Sequence, residues 1–305
     1  MAFDPIFNPF TTRPKSQALR AGSLIPFLHT LRANFSLTTW LLFGAVLQSL
    51  LILLLPYKNL TLTAPAFGLL IYKTTRLALT CLGLLPNPGM DGVLNYRTVP
   101  VFPNEKGGAQ DTPAGQTICA MLLSVRSNHP LGIFAPGFKE TGDFFKAMIS
   151  ELNANATALG FLGSSSWLRA HDRETSSENM GFLHFENEQK LHDFAHGPLH
   201  TKALEWWTGA EGGLKHIGIM HEVFACPRNS WEGIYLNYHP TGLGATTKEV
   251  EVGGKKVWMS PLVKGKGTLN YSKGRMGRAF GSKEWEALDR THGEHEKVDF
   301  GDEKV

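Results

Sequence analysis

Between Phe182 and Trp207 the chain reads FLHFENEQKLHDFAHGPLHTKALEWW, four histidines and a tryptophan pair within 26 residues. Imidazole titrates closest to neutrality of all side chains, so a group of them can serve as general base, hydrogen-bond partner or metal ligand. On an unbroken helix His192, His196 and His200 would recur every fourth residue and share one stripe. Gly197 and Pro198 spoil that picture, because proline is tolerated in a first helical turn and disrupts an interior one. The spacing therefore predicts a short helix from Asn187 to Ala195, a bend, and a second helix from Pro198 to Trp207. His200 then lies in a first turn, where the helix N-terminus disfavours imidazolium and leaves a neutral ring for chemistry.

His184 and His221 fall on two different predicted strands and are candidates to converge with His200 and His196 on one cavity. The alternative for each is a buried histidine satisfied by Asp193, Glu186 or backbone. His192, beside Lys190 and Asp193, reads as exposed. Trp206 and Trp207 diverge by about 100° around a helix, so one fills the core while the other seals a membrane-facing mouth, an interface or a pocket. Trp167 and Arg169 form a further lip, with Arg169 able to orient a carboxylate or carbonyl, or else simply solvated. His221-Glu222 begins no HExxH site, since the second histidine is missing and the segment reads as a strand. GxSxG, P-loop and dinucleotide glycine patterns are absent as well.

The elements that must position these groups follow from periodicity. Ile118 to Val125 is an apolar run of strand length, and Phe144, Phe145, Met148, Ile149 and Leu152 make a helical stripe. Gly160 to Gly163 is a weak strand or turn; Met180 to Phe185, His216 to Ala225 and Glu232 to His239 are strands. The resulting order, strand-helix-strand-strand-helix-strand, is that of a ferredoxin-like α+β domain over 117–240, with Glu232 to His239 added. Its sheet is apolar on both faces, so helices cover one while a second subunit or a lipophilic ligand covers the other. Residues 86–116 have the proline and glycine content of a linker or irregular wrap, and 241–305 carry a hairpin turned at Gly253 and Gly254 and then a charged extension. That extension is basic from Lys264 to Arg278 and acidic from Glu284 to Glu303, and either wraps the domain, touches anionic lipid or stays solvated.

Residues 1–85 are a tail and membrane anchor. No charged side chain occurs from Phe35 through Tyr57, and Leu37 to Leu55 is long enough to cross a bilayer, which takes about 20 residues. Leu60 to Tyr72 and Leu77 to Leu85 are apolar but interrupted by Lys73 and Arg76, consistent with either a return helix or a helix lying against lipid. Arg13, Lys15, Arg20 and Arg32 favour a cytosolic N-terminus, which with a single span puts the domain in the lumen. The formal charge of +3 gives no nucleic-acid signature. Cys81, Cys119 and Cys226 are too few for a disulfide scaffold and lack metal-ligand spacing.

With the anchor, WLRAHDRET from Trp167 to Thr175, the histidine segment, and HEVFACPRNSWEGIYLN from His221 to Asn237 in view, the chain resembles the fungal membrane-associated ABM-like monooxygenases, the fumagillin-pathway polyketide type. The resemblance implies a dimeric α/β barrel, a homodimer at a membrane, with the endoplasmic reticulum the expected one. It implies oxidation of a lipophilic polyketide or terpenoid intermediate by molecular oxygen with no cofactor, haem being the alternative. Under it His200 is the base or enolate donor, assisted by His184 or His221, while Trp167, Arg169, His196 and Trp207 hold the substrate. An isomerase or cyclase, or a lipid-binding assembly protein, would use the same fold without oxygen chemistry.

Overall fold

The computed structural model describes residues 3–14, 24–169, 175–209 and 214–278. The acidic 284–303 stretch and residues 170–174 of the WLRAHDRET segment lie outside them. Three helices come first: α1 (Leu24–Ala33), α2 (Leu37–Leu54) and α3 (Lys58–Cys81). Ser36 caps α2 by accepting the Thr39 N–H at 3.2 Å. No side chain of α2 is buried, and among the described residues it is the one helix long and apolar enough to cross a membrane.

After β1 (Thr98–Pro100) come β2 (Ile118–Ser127), α4 (Phe138–Ala154), β3 (Phe161–Leu168), β4 (Asn179–Phe185), α5 (Glu188–Ala195), α6 (Pro198–Gly209) and β5 (Ile217–Cys226). The four longer strands form one antiparallel sheet in the order β3-β4-β2-β5. Because side chains alternate along a strand, register fixes the faces. Cys119, Met121, Leu183 and Phe185 point to the face carrying the helices, where Ile149 and Leu152 of α4 and Leu191 and Phe194 of α5 meet them. Each such side chain, fully buried, contributes about 1.5–3 kcal/mol.

The dimeric α/β barrel expected from the resemblance does not form. The sheet is open and uncurled, with β3 and β5 as its edges, and the described residues close no barrel. Nor is the helix-free face left for a partner to cover throughout. Ile118 and Leu162 on that face pack with Phe102, Ala114, Trp231 and Leu243, so the chain's own flanking segments take up part of it.

Those segments are ordered by pairing with the last part of the fold, β6 (Lys248–Val252), β7 (Lys255–Met259), β8 (Leu262–Lys264) and α7 (Ser272–Arg275). Within 86–116, β1 pairs antiparallel with β8, and Val99 and Val101 join Val263 and Leu269 in a small core of their own. The hairpin β6-β7 turns at Gly253 and Gly254, whose φ values of 59° and 76° suit the two left-handed positions of its tight turn. Glu232 to His239 is not the expected strand. It makes only isolated bridges from Tyr235 to Thr98 and from Tyr238 to Leu94, and Asn237 at φ 48° breaks the extended run. The basic 264–278 segment is folded in: Lys273 and Arg275 are buried, and Arg275 donates to Glu232 at 2.6 Å.

Residues 3–14 belong to this same body. Ile6 donates to the Leu262 carbonyl, and Phe10 and Trp258 exchange backbone hydrogen bonds of 2.8 Å each. The Arg13 guanidinium donates to the Phe161 carbonyl at 2.7 Å and lies over the Phe161 and Trp258 rings. Burial lowers its pKa to about 10.

Candidate active site

The bend in the histidine segment comes from hydrogen bonding. Pro198 has no N–H for the Phe194 carbonyl, which is taken instead by Gly197 at 2.9 Å, and α6 restarts with Pro198 in its first position. Asn187 caps α5 by accepting the Lys190 N–H at 2.9 Å, a contact of the kind worth about 1 kcal/mol. The two short helices are thus set at an angle, and α6 packs chiefly on α4 and α5, with the Trp206 ring 5.2 Å from that of Phe144.

Because α6 leans that way, β5 is left uncovered on the helix-bearing face. His221 lies opposite Leu123 on that face, flanked by Ile219 and Val223, which are 45% and 41% exposed. His200, on α6, is half-buried with its ring edge-on to Phe194, and it lies near enough to His221 for the two rings to interact electrostatically. Burial lowers the His200 pKa, the nearby Ala195 carbonyl opposes this, and the neighbouring His221 and His196 lower it further. The direction matches expectation; the leading cause is desolvation rather than the helix terminus. Trp207 is two turns beyond His200 on the same side of α6. Its Nε1–H is buried with no hydrogen-bond partner, a donor aimed at nothing the protein supplies.

His196 is exposed, its Nδ1 against the His192 carbonyl at 2.8 Å and its ring stacked on that of His192. It is near enough to His200 to influence it but faces outward.

The remaining candidates lie across the sheet. His184 opposes Ala120 and Gly163 on the helix-free face, where Thr246 packs over Gly163 and the turn Gly242–Ala245 forms a roof. It is 2% exposed, its Nδ1 has no partner, and burial pushes its pKa down to about 4. Trp167, on the same face, is 40% exposed and donates to Ser165. Arg169 is not free to orient a substrate carboxylate. It donates to Glu178 at 3.0 Å, and this buried carboxylate also accepts from Ser124 at 3.0 Å. Sequence reading missed Glu178; nothing in NMGFLHF or its flank distinguishes it from a solvated acid. The structure thus brings His200 and His221 near one another, with His196 at the margin and Trp207 further along the same side of α6, and sets His184, Trp167 and Arg169 apart.

A cavity of about 340 Å³ lies elsewhere, between the N-terminal strap and β8, lined by Phe3, Val101, Thr112, Val263 and Leu269. Its lining contains no histidine, and the chemistry-bearing groups outweigh its size in locating the site. Among the described residues no three His, Cys, Asp or Glu side chains gather as metal ligands would.

Comparison with known proteins gives two kinds of match. The family profile described as Monooxygenase af470-like matches residues 118–243. Monooxygenase af470 of Aspergillus fumigatus is 30% identical over 279 residues, spanning 90% of this chain and 97% of its own. Of the solved structures, an aldoxime dehydratase in complex with butyraldoxime aligns at 16% identity and a TM-score of 0.35, over 49% of this chain and 43% of the dehydratase. SnoaB, a cofactor-independent oxygenase from Streptomyces nogalater, aligns at 15% identity and 0.24, over 35% of this chain and 90% of its own. The structural likenesses are too loose to bear on chemistry; the sequence match is the informative one.

Proposed function

We propose, from the premise that the chain belongs to the af470-like monooxygenase family and is an oxidoreductase, that it oxidises a lipophilic polyketide or terpenoid intermediate of fungal secondary metabolism in the groove between α6 and β5. The observation that carries this reading is a half-buried His200, its pKa lowered by burial, close to His221 between the exposed apolar Ile219 and Val223, with the unpartnered Trp207 N–H on the same helix side.

In this reading a ring nitrogen of the neutral His200 removes a proton from an activated methylene, and the Trp207 N–H donates to the enolate oxygen that results. The enolate gives an electron to O2, and recombination yields a hydroperoxide on the same carbon. Loss of the second C–H proton to an imidazole, with departure of hydroxide from the O–O bond, leaves a carbonyl and water. A methylene plus O2 becomes a carbonyl plus water, so all four electrons that oxygen takes up come from the substrate. The apolar walls at Ile219 and Val223 hold the substrate and keep water from the carbanion. We place the enzyme at an internal membrane, the endoplasmic reticulum in our reading, where such a substrate partitions.

Turnover under 18O2 is expected to put one labelled atom in the product. Unlabelled product would leave an isomerase or cyclase, and a Soret band in the purified protein would replace the substrate-electron scheme with haem chemistry. Trp207→Phe makes a sharper test of the donor. Its N–H has no partner in the free protein, so the substitution is expected to leave the melting temperature unchanged or raised. It should weaken handling of the enolate by about 0.5–1.5 kcal/mol, roughly 2- to 12-fold in kcat/KM. A stability loss with unaltered kinetics would show the ring to be packing alone.

A further inference from the structure

The strap and the domain it binds stand on opposite sides of α2 in the chain. Residues 3–14 precede that helix, yet Ile6 and Phe10 are hydrogen-bonded to Leu262 and Trp258, and Arg13 to Phe161, all of which follow it. If α2 alone crossed a bilayer, these partners would be separated by the membrane. An anchor whose two ends belong to one folded body must cross an even number of times. We infer that α2 and α3 form a transmembrane hairpin that leaves the N-terminal strap and the catalytic domain on the same side of a lipid bilayer. This rests on the membrane part of the reading above and is independent of the oxidation chemistry.

Three features of the helix pair suit that role. Pro65 inside α3 has no N–H, so the Thr61 carbonyl lacks its helical donor. Gln48 of the uncharged α2 reaches across and donates to Thr61 at 2.5 Å and to Leu62 at 3.2 Å. Hydrocarbon offers no water to an unpaired amide or carbonyl, so each helix satisfies the polar group that the other would strand.

The cations of α3 fall where lipid tolerates them. Lys58 is at the hairpin tip, beside Tyr57 in a left-handed turn. Lys73 and Arg76 lie about 22 and 27 Å further along at 1.5 Å per residue, and α2 is itself about 27 Å long. Antiparallel packing therefore brings Lys73 and Arg76 level with the start of α2, at the interface rather than the midplane. Arg76 donates there to the Tyr72 hydroxyl.

At the same level Phe35, Trp40 and Phe43 form an edge-to-face aromatic cluster, and Trp40 donates to the Arg32 carbonyl, in keeping with an interfacial belt. The domain is moored to this end. The Ile133 N–H donates to Asn34, Ser176 donates to the Ala33 carbonyl, and the Phe35 ring lies 6.2 Å from that of Phe134. Leu131 and Phe134, beside this mooring, are both more than half exposed.

The test uses full-length protein in microsomes, with an epitope tag at each terminus and protease added from outside. Both tags are expected to share one fate, both cut or both protected, and a membrane-impermeant maleimide should reach Lys58→Cys, read by peptide mass, only from the opposite side. Tags of opposite fate would overturn the hairpin while leaving the protein integral. Labelling of the tip from the side of the termini would show a re-entrant loop and also overturn it. Release of the protein by alkaline carbonate would overturn the membrane reading itself.

Discussion

Acidification from pH 6.5 to pH 4 is expected to remove on the order of 3 kcal/mol of folding stability through His184 alone. Burial holds the folded-state pKa at about 4, against about 6.5 for an ordinary histidine. As pH falls through 6.5 the unfolded chain takes up its proton first, while the folded protein keeps a neutral ring under the roof formed by Gly242–Ala245. The contribution is therefore complete above about pH 6.5, shrinks across the interval, and is gone below pH 4. Thermal melts of the detergent-solubilised full chain across this range measure it. His184→Leu removes the titrating group and its unpartnered Nδ1 together, so the variant should show a correspondingly flatter acid limb. An unchanged slope in His184→Leu would mean that other groups control acid unfolding.

His200→Ala is expected to lower turnover by about 100- to 10,000-fold, the usual worth of a positioned acid–base group. The side chain is only half-buried, so the fold should survive. His221→Ala should cost less, because that ring assists rather than receives the first proton. The pH dependence carries its own sign. Since desolvation lowers the His200 pKa, the neutral base persists into mildly acidic solution, and the acid limb of kcat/KM should be centred below the ordinary histidine value. A limb above that value would point to an imidazole stabilised in its charged form, contrary to the geometry beside Phe194.

Much of the architecture was legible because it rests on local rules. Pro198 dictated the break between α5 and α6, the Gly253-Gly254 pair dictated a hairpin, and uncharged Leu37 to Leu55 dictated a bilayer-length helix. What could not be read depends on contacts distant in sequence. His184 and His221 look alike on their strands, and only the register through β2 shows that the first shares a face with Ala120 and the second with Leu123. Closure of the sheet into a barrel rests on resemblance, whereas Phe102, Trp231 and Leu243 pack onto part of the face it requires. Tyr235 and Tyr238 alternate as a strand would, but Asn237 adopts a left-handed conformation that alternation cannot reveal. Arg169 looked available until Glu178, unremarkable in sequence, proved to be its buried partner. Likewise nothing about Arg13 announces its contact with Phe161, 148 residues away.

In the proposed reaction a neutral imidazole at position 200 takes the substrate's proton beside β5. Turnover by His200→Ala with and without added free imidazole tests this most directly, because a small base entering the vacated space can restore proton abstraction but cannot restore a structural contact. The variant should be folded, nearly inactive and partly rescued by imidazole. Wild-type turnover by His200→Ala without imidazole would contradict that role.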